Sequence, residues 1–399
     1  MIDNVKPWSS WRVVREMRRP FPRLLSVPAV VLLAGIGLRP AAPAAQPAAV
    51  ALPPAAEPPR LVGDASAVGT ILAARVISGI VPAAGAGKLV ADDRPKLARK
   101  EQEVRLYALV SAEVGGSKRW YSDAPAVALG GKSVPVAPLA SLPQASVRWL
   151  RVEPALATMS NTESGQFRFE PIDYRFTELP GAAGKGQVVA DVRPTLTPDH
   201  GGGVGTMRYA LAVTREGKTV ISPGPEARRG KGSGGLLDTV HRVSVRRDDS
   251  YLGYLTEMYG QPYIWASAGM TDRTHQSERL EGSDCADFIV YGARRMGKPL
   301  AYTWSGGLPS VTRLLAPRGE RGEDGVYRDA AGKPLPFPTP GDIILFPRHV
   351  GALTQDRGQP GILDDQDVMM HTLFDSPKEQ AIADSGYAQT AVELRRWKR

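Results

Sequence analysis

Cysteine is almost absent from this chain: Cys285 is the only one in 399 residues. A single thiol rules out an internal disulfide, so Cys285 is either a buried apolar residue or a thiol kept for its reactivity. Histidine is scarce too, with five residues, which leaves few candidates for a base. No basic run is interleaved with aromatics, and nucleic-acid binding is not expected. No internal repeat is visible. The Gly-Lys in "GPEARRGKGSGG" (224–235) lacks phosphate-loop spacing, and Gly232 stands where a hydroxyl must bind the metal, so no nucleotide site is read there. Asp364, Asp365 and Asp367 lack the spacing and glycine of a calcium loop and read as a solvated turn. No metal and no cofactor are expected.

What is present begins with a leader. Arg12, Arg15, Arg18, Arg19 and Arg23 precede the apolar stretch "LLSVPAVVLLAGIGL" (24–38) and a small-residue segment with A-x-A options. That order is a secretory signal over 1–45, placing the protein in the periplasm or outside the cell. The stretch is short for a membrane span and is interrupted by Pro28, so no stable span is expected after processing. The absence of cysteine at the cleavage region excludes a lipoprotein anchor. The leader carries +5 of the formal +9, leaving a mildly basic mature chain.

Residues 46–99 read as an Ala/Pro-rich tether and a poorly defined segment. From 100 to 223 the pattern has period two: "EVRLYALV", "SVRWLRV", "FRFEPIDYRF", and a hairpin "MRYALAVTREGKTVIS" turning at Glu216-Gly217. Short alternating strands between Gly/Pro turns predict a sandwich-like β domain. Residues 224–248 read as a linker. From 249 to 399 helices come first and strands after, which predicts an α+β domain. Its strands fall at "DIILF" (342–346), "HVGALT" (349–354) and "DVMMHTLF" (367–374).

The sole cysteine opens a helix. Ser283 or Asp284 is a good N-cap, apolar residues recur at 285, 288, 289, 293 and 296, and Gly297 stops the run. A helix N-terminus carries partial positive charge and free N–H groups, which favour a thiolate and can hold an oxyanion. Cysteine catalysis also needs a base and a group that orients it. His200, His241 and His275 read as exposed or structural. His349 and His371 lie on two strands that follow the cysteine, and together they suggest a thiolate–imidazole–imidazole arrangement.

Four pieces, "YGQPYIWAS", "GSDCADF", "TPGDIILFPRHVGAL" and "MMHTLF", come in the order of the NlpC-type cell-wall cysteine peptidases, which the segment 251–399 resembles. The resemblance implies a papain-like domain, helices then antiparallel sheet. It implies Cys285 as nucleophile, His349 as base, His371 as its orienting partner and Tyr263 facing the oxyanion. It also implies that Asp284 meets the substrate's amine. Asp287 replaces the motif's second glycine and becomes a candidate substrate reader. The implied activity is hydrolysis of an amide in a peptidoglycan stem peptide, or another envelope peptide, through an acyl-thioenzyme. Two alternatives stay open. One is a non-catalytic envelope binding or scaffold protein; the other is an acyltransferase or amidase using the same thioester chemistry. The partner of the β-rich N-terminal part is unassigned.

Overall fold

The computed structural model describes residues 70–162, 169, 172–230 and 234–398. The signal segment, the tether up to 69 and residues 231–233 of the linker lie outside the described residues, as does part of the 167–176 strand.

Among the described residues, fourteen strands precede the first helix. They are β1 (Thr70–Ile80), β2 (Ala91–Asp92), β3 (Lys96–Arg99), β4 (Val104–Val114), β5 (Ser117–Tyr121), β6 (Val127–Leu129) and β7 (Lys132–Ser133), followed by β8 (Ser146–Pro154), β9 (Thr158–Ser160), β10 (Tyr174–Glu178), β11 (Gln187–Val189), β12 (Gly205–Arg215), β13 (Lys218–Ile221) and β14 (His241–Arg246). Then come α1 (Tyr251–Leu255), β15 (Tyr263–Trp265), α2 (Cys285–Arg295), α3 (Leu308–Val311), β16 (Thr312–Arg321), β17 (Tyr327–Arg328), β18 (Ile343–Phe346), β19 (His349–Gln355), β20 (Val368–His371), β21 (Lys378–Ala381) and β22 (Val392–Trp397).

The first sheet runs β11-β4-β1-β2-β6-β7, with β5 also on β4; the second runs β10-β8-β12-β14-β3, with β13 on β12. Alternation along these strands sends side chains to two different cores, because both faces are covered. On β4, Leu106, Ala108 and Val110 enter the main core while Tyr107 and Leu109 enter a second one with Ile77 and Val127. On β8, Val147 and Trp149 point to the main core, and Leu150 and Val152 to a third. The predicted turn at Glu216-Gly217 joins β12 to β13, with Arg215 paired to Lys218 and both turn residues at positive φ, 50° and 73°. Two such residues make a type I′ turn, whose twist matches the strands it joins.

The third large sheet runs β17-β16-β22-β18-β19-β20-β21. Ile343 and Leu345 of β18 face α2 and the main core; Ile344 and Phe346 face a separate core with Leu353, Met369 and Leu394. β15 pairs in parallel with β9, Tyr263 opposite Thr158, and so ties the chain after 251 to the strands before it.

The expectation of an α+β architecture is corrected. The chain is mostly β, 40% strand and 11% helix, with two curled sheets, and a papain-like domain of helices followed by a sheet is not shown. The segment read as helix-rich yields only two helices before residue 300, α1 and α2. Between them Gly260, Ala266, Leu280 and Gly282 all take positive φ, which breaks helical continuation and gives turns and the short β15. The separation into a β domain and an α+β domain also has no counterpart in the packing. Trp149, Val243, Phe288 and Met370 belong to one continuous core, and the described residues from 70 on form one compact unit. One stretch with little pattern also became a strand: β1 lies where a tether is expected and pairs along β4 from Thr70–Glu113 to Ile80–Val104. The alternating "VHRVSV" that leads out of the linker reads as a strand and forms β14, which joins β12 to β3.

Candidate active site

α2 is set by its cap and its buried stripe. The Asp284 carboxylate accepts from the Ala286 and Asp287 N–H groups at 3.0 and 2.9 Å, satisfying two donors that a helix start leaves free. Nine residues, Cys285 through Ala293, are buried. Each large apolar side chain among them contributes about 1.5–3 kcal/mol of burial, which seats the helix firmly on the sheet. Gly297 ends it at φ 84°. Cys285 is thereby held in the first turn, 7% exposed, against the strands that carry the histidines.

β18 and β19 form a hairpin in which Phe346 pairs with His349 across Pro347-Arg348. His349 is fully buried, and β20 brings His371, also buried, beside it. His349 Nε2 and His371 Nδ1 are 2.7 Å apart. One proton joins them. The tautomer with His349 Nε2–H donating leaves His349 Nδ1 as a free base. That Nδ1 and His371 Nε2 have no hydrogen-bond partner. A buried polar atom left unpaired costs about 1–3 kcal/mol, so Nδ1 is open to an incoming hydrogen-bond donor. Gln380 lies near His371 Nε2 without completing a hydrogen bond.

Tyr263 reaches the same place because β15 runs beside the turn into α2: Ile264 N–H donates to Ser283 carbonyl at 2.9 Å, and Tyr263 bridges to Ser283. Phe374 packs edge-on against the Tyr263 ring at 5.4 Å. Burial pushes the Tyr263 hydroxyl up, and the charges of Cys285, Asp284 and Tyr387 push the same way. Tyr387 was not singled out in the sequence. Its ring stacks on His349 at 4.6 Å and 22°; an isolated tyrosine in a Gly-flanked turn gives no sequence signal for this.

Electrostatics define the resting site. Burial pushes the Cys285 thiol up, Asp284 adds to this, and the Val350 and Ala286 N–H groups oppose it. Burial and then His371 hold His349 well below its usual value. Burial, with Lys378, brings His371 down to about 4. At neutral pH the site therefore rests as a neutral thiol beside neutral imidazoles. No Cys285–His349 hydrogen bond is present among the described residues.

No family model matches this chain. A search of the curated proteins and a search of the solved structures also return no match. The chemistry of the site thus rests on its own residues.

Asp284 and Asp287 are brought together, but Asp287 does not line the space in front of the thiol. It is buried behind α2, where Ser267 Oγ–H donates to its Oδ2 at 2.6 Å; Ser267 Oγ in turn accepts from Asp284 N–H at 2.9 Å. Burial, then the Asp284 charge, pushes the Asp287 carboxyl well up, so it keeps its proton and donates to Asp284. His275 Nε2 stands 3.4 Å from Asp287, yet burial lowers this histidine to about 3, so the contact is dipolar and not an ion pair. Tyr302 stacks on His275 at 3.8 Å and completes the network. A carboxyl raised in the fold contributes stability fully present below its unfolded value near 4, and this is lost as pH rises through the folded value. Asp287→Asn mimics the protonated acid. It is expected to fold and to exceed wild type in melting temperature at about pH 8, with the difference shrinking toward about pH 5. Asp287→Ala, which leaves Ser267 unpaired, is expected to lose about 1–3 kcal/mol. Thermal melts of both variants across pH check this.

The other histidines serve the scaffold. His241 bonds Ser78 at 2.6 Å, and His200 pairs with Asp375 at 2.9 Å. The acidic turn is not solvated in the way its composition suggests. Asp367 is buried and accepts from the Arg357 and Asp364 N–H groups, and Asp365 pairs with Arg321. Among the described residues no group of three or more His, Cys, Asp or Glu is placed to hold a metal ion, and no helix is long and apolar enough to cross a membrane. A concavity of about 560 Å3 lies far from this chemistry, over β4 and β11, beside Arg105 and Asp191.

Proposed function

We propose that this chain is an exported cysteine hydrolase that cleaves an amide through an acyl-thioenzyme. One observation carries the reading: the only thiol sits at a capped helix start packed on the strands of a buried, hydrogen-bonded histidine pair in which His349 Nδ1 is unpaired. In the reaction His349 Nδ1 takes the thiol proton as Cys285 Sγ attacks the carbonyl. The amide C–N bond breaks, and the imidazolium returns the proton to the leaving amine. Water then attacks the thioester carbonyl as His349 takes its proton; the C–S bond breaks, the imidazolium returns the proton to the departing Cys285 sulfur, and the acid product is released. His371 holds His349 in the tautomer with Nδ1 free. The Tyr263 hydroxyl, which makes no hydrogen bond among the described residues, supports a role at the oxyanion with the Cys285 backbone N–H.

The substrate class, a peptidoglycan stem peptide, rests on the order of motifs from Tyr263 to His371 and not on the fold. Asp284 accepts from the Ala286 and Asp287 N–H groups and from the Asp287 carboxyl, so a substrate amine would have to compete with Asp287 for it. No metal, cofactor or nucleic acid enters this scheme. The binding-protein reading keeps one specific support: the thiol is buried, neutral and not bonded to His349. Digestion of purified muropeptides, read by mass spectrometry, separates the two. Wild type is expected to give new fragments whose summed mass exceeds the parent by one water, and Cys285→Ala none. Identical product patterns from both proteins would favour binding. Fragments joined to an added amine would point to acyl transfer.

A further inference from the structure

We propose that Tyr387 is a positioning residue for His349, its ring face holding the imidazole and stabilising the imidazolium that forms when the Cys285 proton is taken. This rests on the hydrolase reading above. The geometry is specific. The Tyr387 and His349 rings are nearly parallel at 4.6 Å. Phe346 lies 6.0 Å from His349 and 5.5 Å from Tyr387, so the three rings form a triangle rather than a sandwich, with Tyr387 nearest the imidazole. The loop carrying Tyr387 is pinned: its N–H donates to Ser385 Oγ at 3.1 Å, and Thr390 Oγ1–H donates to its carbonyl at 2.7 Å. The ring is therefore fixed rather than passing.

The site needs such a group. A positive charge on His349 would develop in a buried place, and His371, the one side-chain hydrogen-bond partner of its ring among the described residues, is itself neutral. Among the described residues no carboxylate pairs with the His349 ring. An aromatic face within about 6 Å attracts a cation through the ring quadrupole, more strongly when water is excluded. The charged and titratable groups around the imidazole are few. α2 presents Cys285 and Asp284, β15 presents Tyr263, and β20 presents His371. β21 presents Lys378 behind His371, and Arg348 adjoins in the β18–β19 turn. None of these lies face-on to His349; the Tyr387 ring does, at 4.6 Å, nearer than the similarly inclined Phe346 ring at 6.0 Å. The Tyr387 hydroxyl, within electrostatic reach of the thiol, makes no hydrogen bond among the described residues. The ring, rather than the hydroxyl, is assigned the work.

The lone cysteine supplies a substrate-free readout. Iodoacetamide alkylation followed by intact mass reports Cys285 alone, across about pH 4 to about pH 9. Tyr387→Phe keeps the face and is expected to stay within about twofold of wild type. Tyr387→Leu removes it and is expected to slow alkylation about tenfold and to move the low-pH limb downward, since a less stable imidazolium loses its proton at lower pH. Pentafluorophenylalanine at 387 keeps the shape of phenylalanine, reverses the quadrupole and guards against a folding artefact; it should behave like Tyr387→Leu. If it matches Tyr387→Phe in rate and limb, the proposal is overturned. His349→Ala separates the two levels. If His349→Ala leaves alkylation unchanged, the Cys–His reading fails and this inference with it. If His349→Ala slows alkylation but neither ring variant does, only the Tyr387 assignment fails.

Discussion

His349→Ala is expected to lower kcat/KM on a cleaved muropeptide by about 10²–10⁴, the range a positioned general base contributes. The thiol explains why the loss is large. Cys285 is pushed up by burial and by Asp284, so an unaided thiolate is rare near pH 7. Transfer to His349 during attack avoids populating that anion. His349 is held low by burial and His371, so it stays an unprotonated base well below pH 6.5. Rate should therefore persist into mildly acidic pH and fall only as His349 gains a proton. A variant without His349 should instead rise steadily toward alkaline pH with the thiol's own ionisation. A pH profile of kcat/KM for both proteins checks the claim. Parallel profiles of equal height would remove His349 from the mechanism.

The second large effect concerns stability. Glu257→Ala is expected to cost about 1–3 kcal/mol, because it leaves the buried Tyr291 hydroxyl and the half-buried Arg295 guanidinium without their acceptor, while Arg246 keeps Asp249. Glu257 is fully buried between α1 and β15. Arg295 Nε and Nη2 donate to it at 2.9 and 3.0 Å, Arg246 Nη1 at 3.4 Å, and the Tyr291 hydroxyl donates to the same carboxylate. Both guanidiniums also lie over the Tyr254 ring, at 5.1 and 4.8 Å. The cluster thus joins β14, α1 and α2, and it fixes the helix that carries Cys285. Urea unfolding should show a lower midpoint with the slope unchanged. A midpoint equal to wild type would mean that the cluster does not hold α2 in place.

Much of the candidate site was legible in residues. A lone cysteine behind an N-capping Asp284 and ahead of an apolar stripe described α2 closely, from cap to Gly297, because a helix is closed by local hydrogen bonds and its signals lie within a few residues. Period two located β4, β8 and β12, because alternation records which side chains face a core even before the strand has found its partners. Asp287 was less legible. As a carboxylate two residues from the thiol it reads as a substrate contact; only packing turns it behind the helix, where Ser267 and His275 enclose it.

By itself the sequence determined which local elements can form and which chemistry is available: one thiol, two strand histidines after it, and a capped helix start. The tertiary structure alone decided that the chain is mostly β, that β1 is a strand, and that the parts before and after residue 249 share a core. It alone placed Tyr387 on His349. The physical reason is common to these cases. Strand pairing and ring stacking join residues far apart in the chain, so their energy appears only when the sheets assemble, and no short window of sequence carries it.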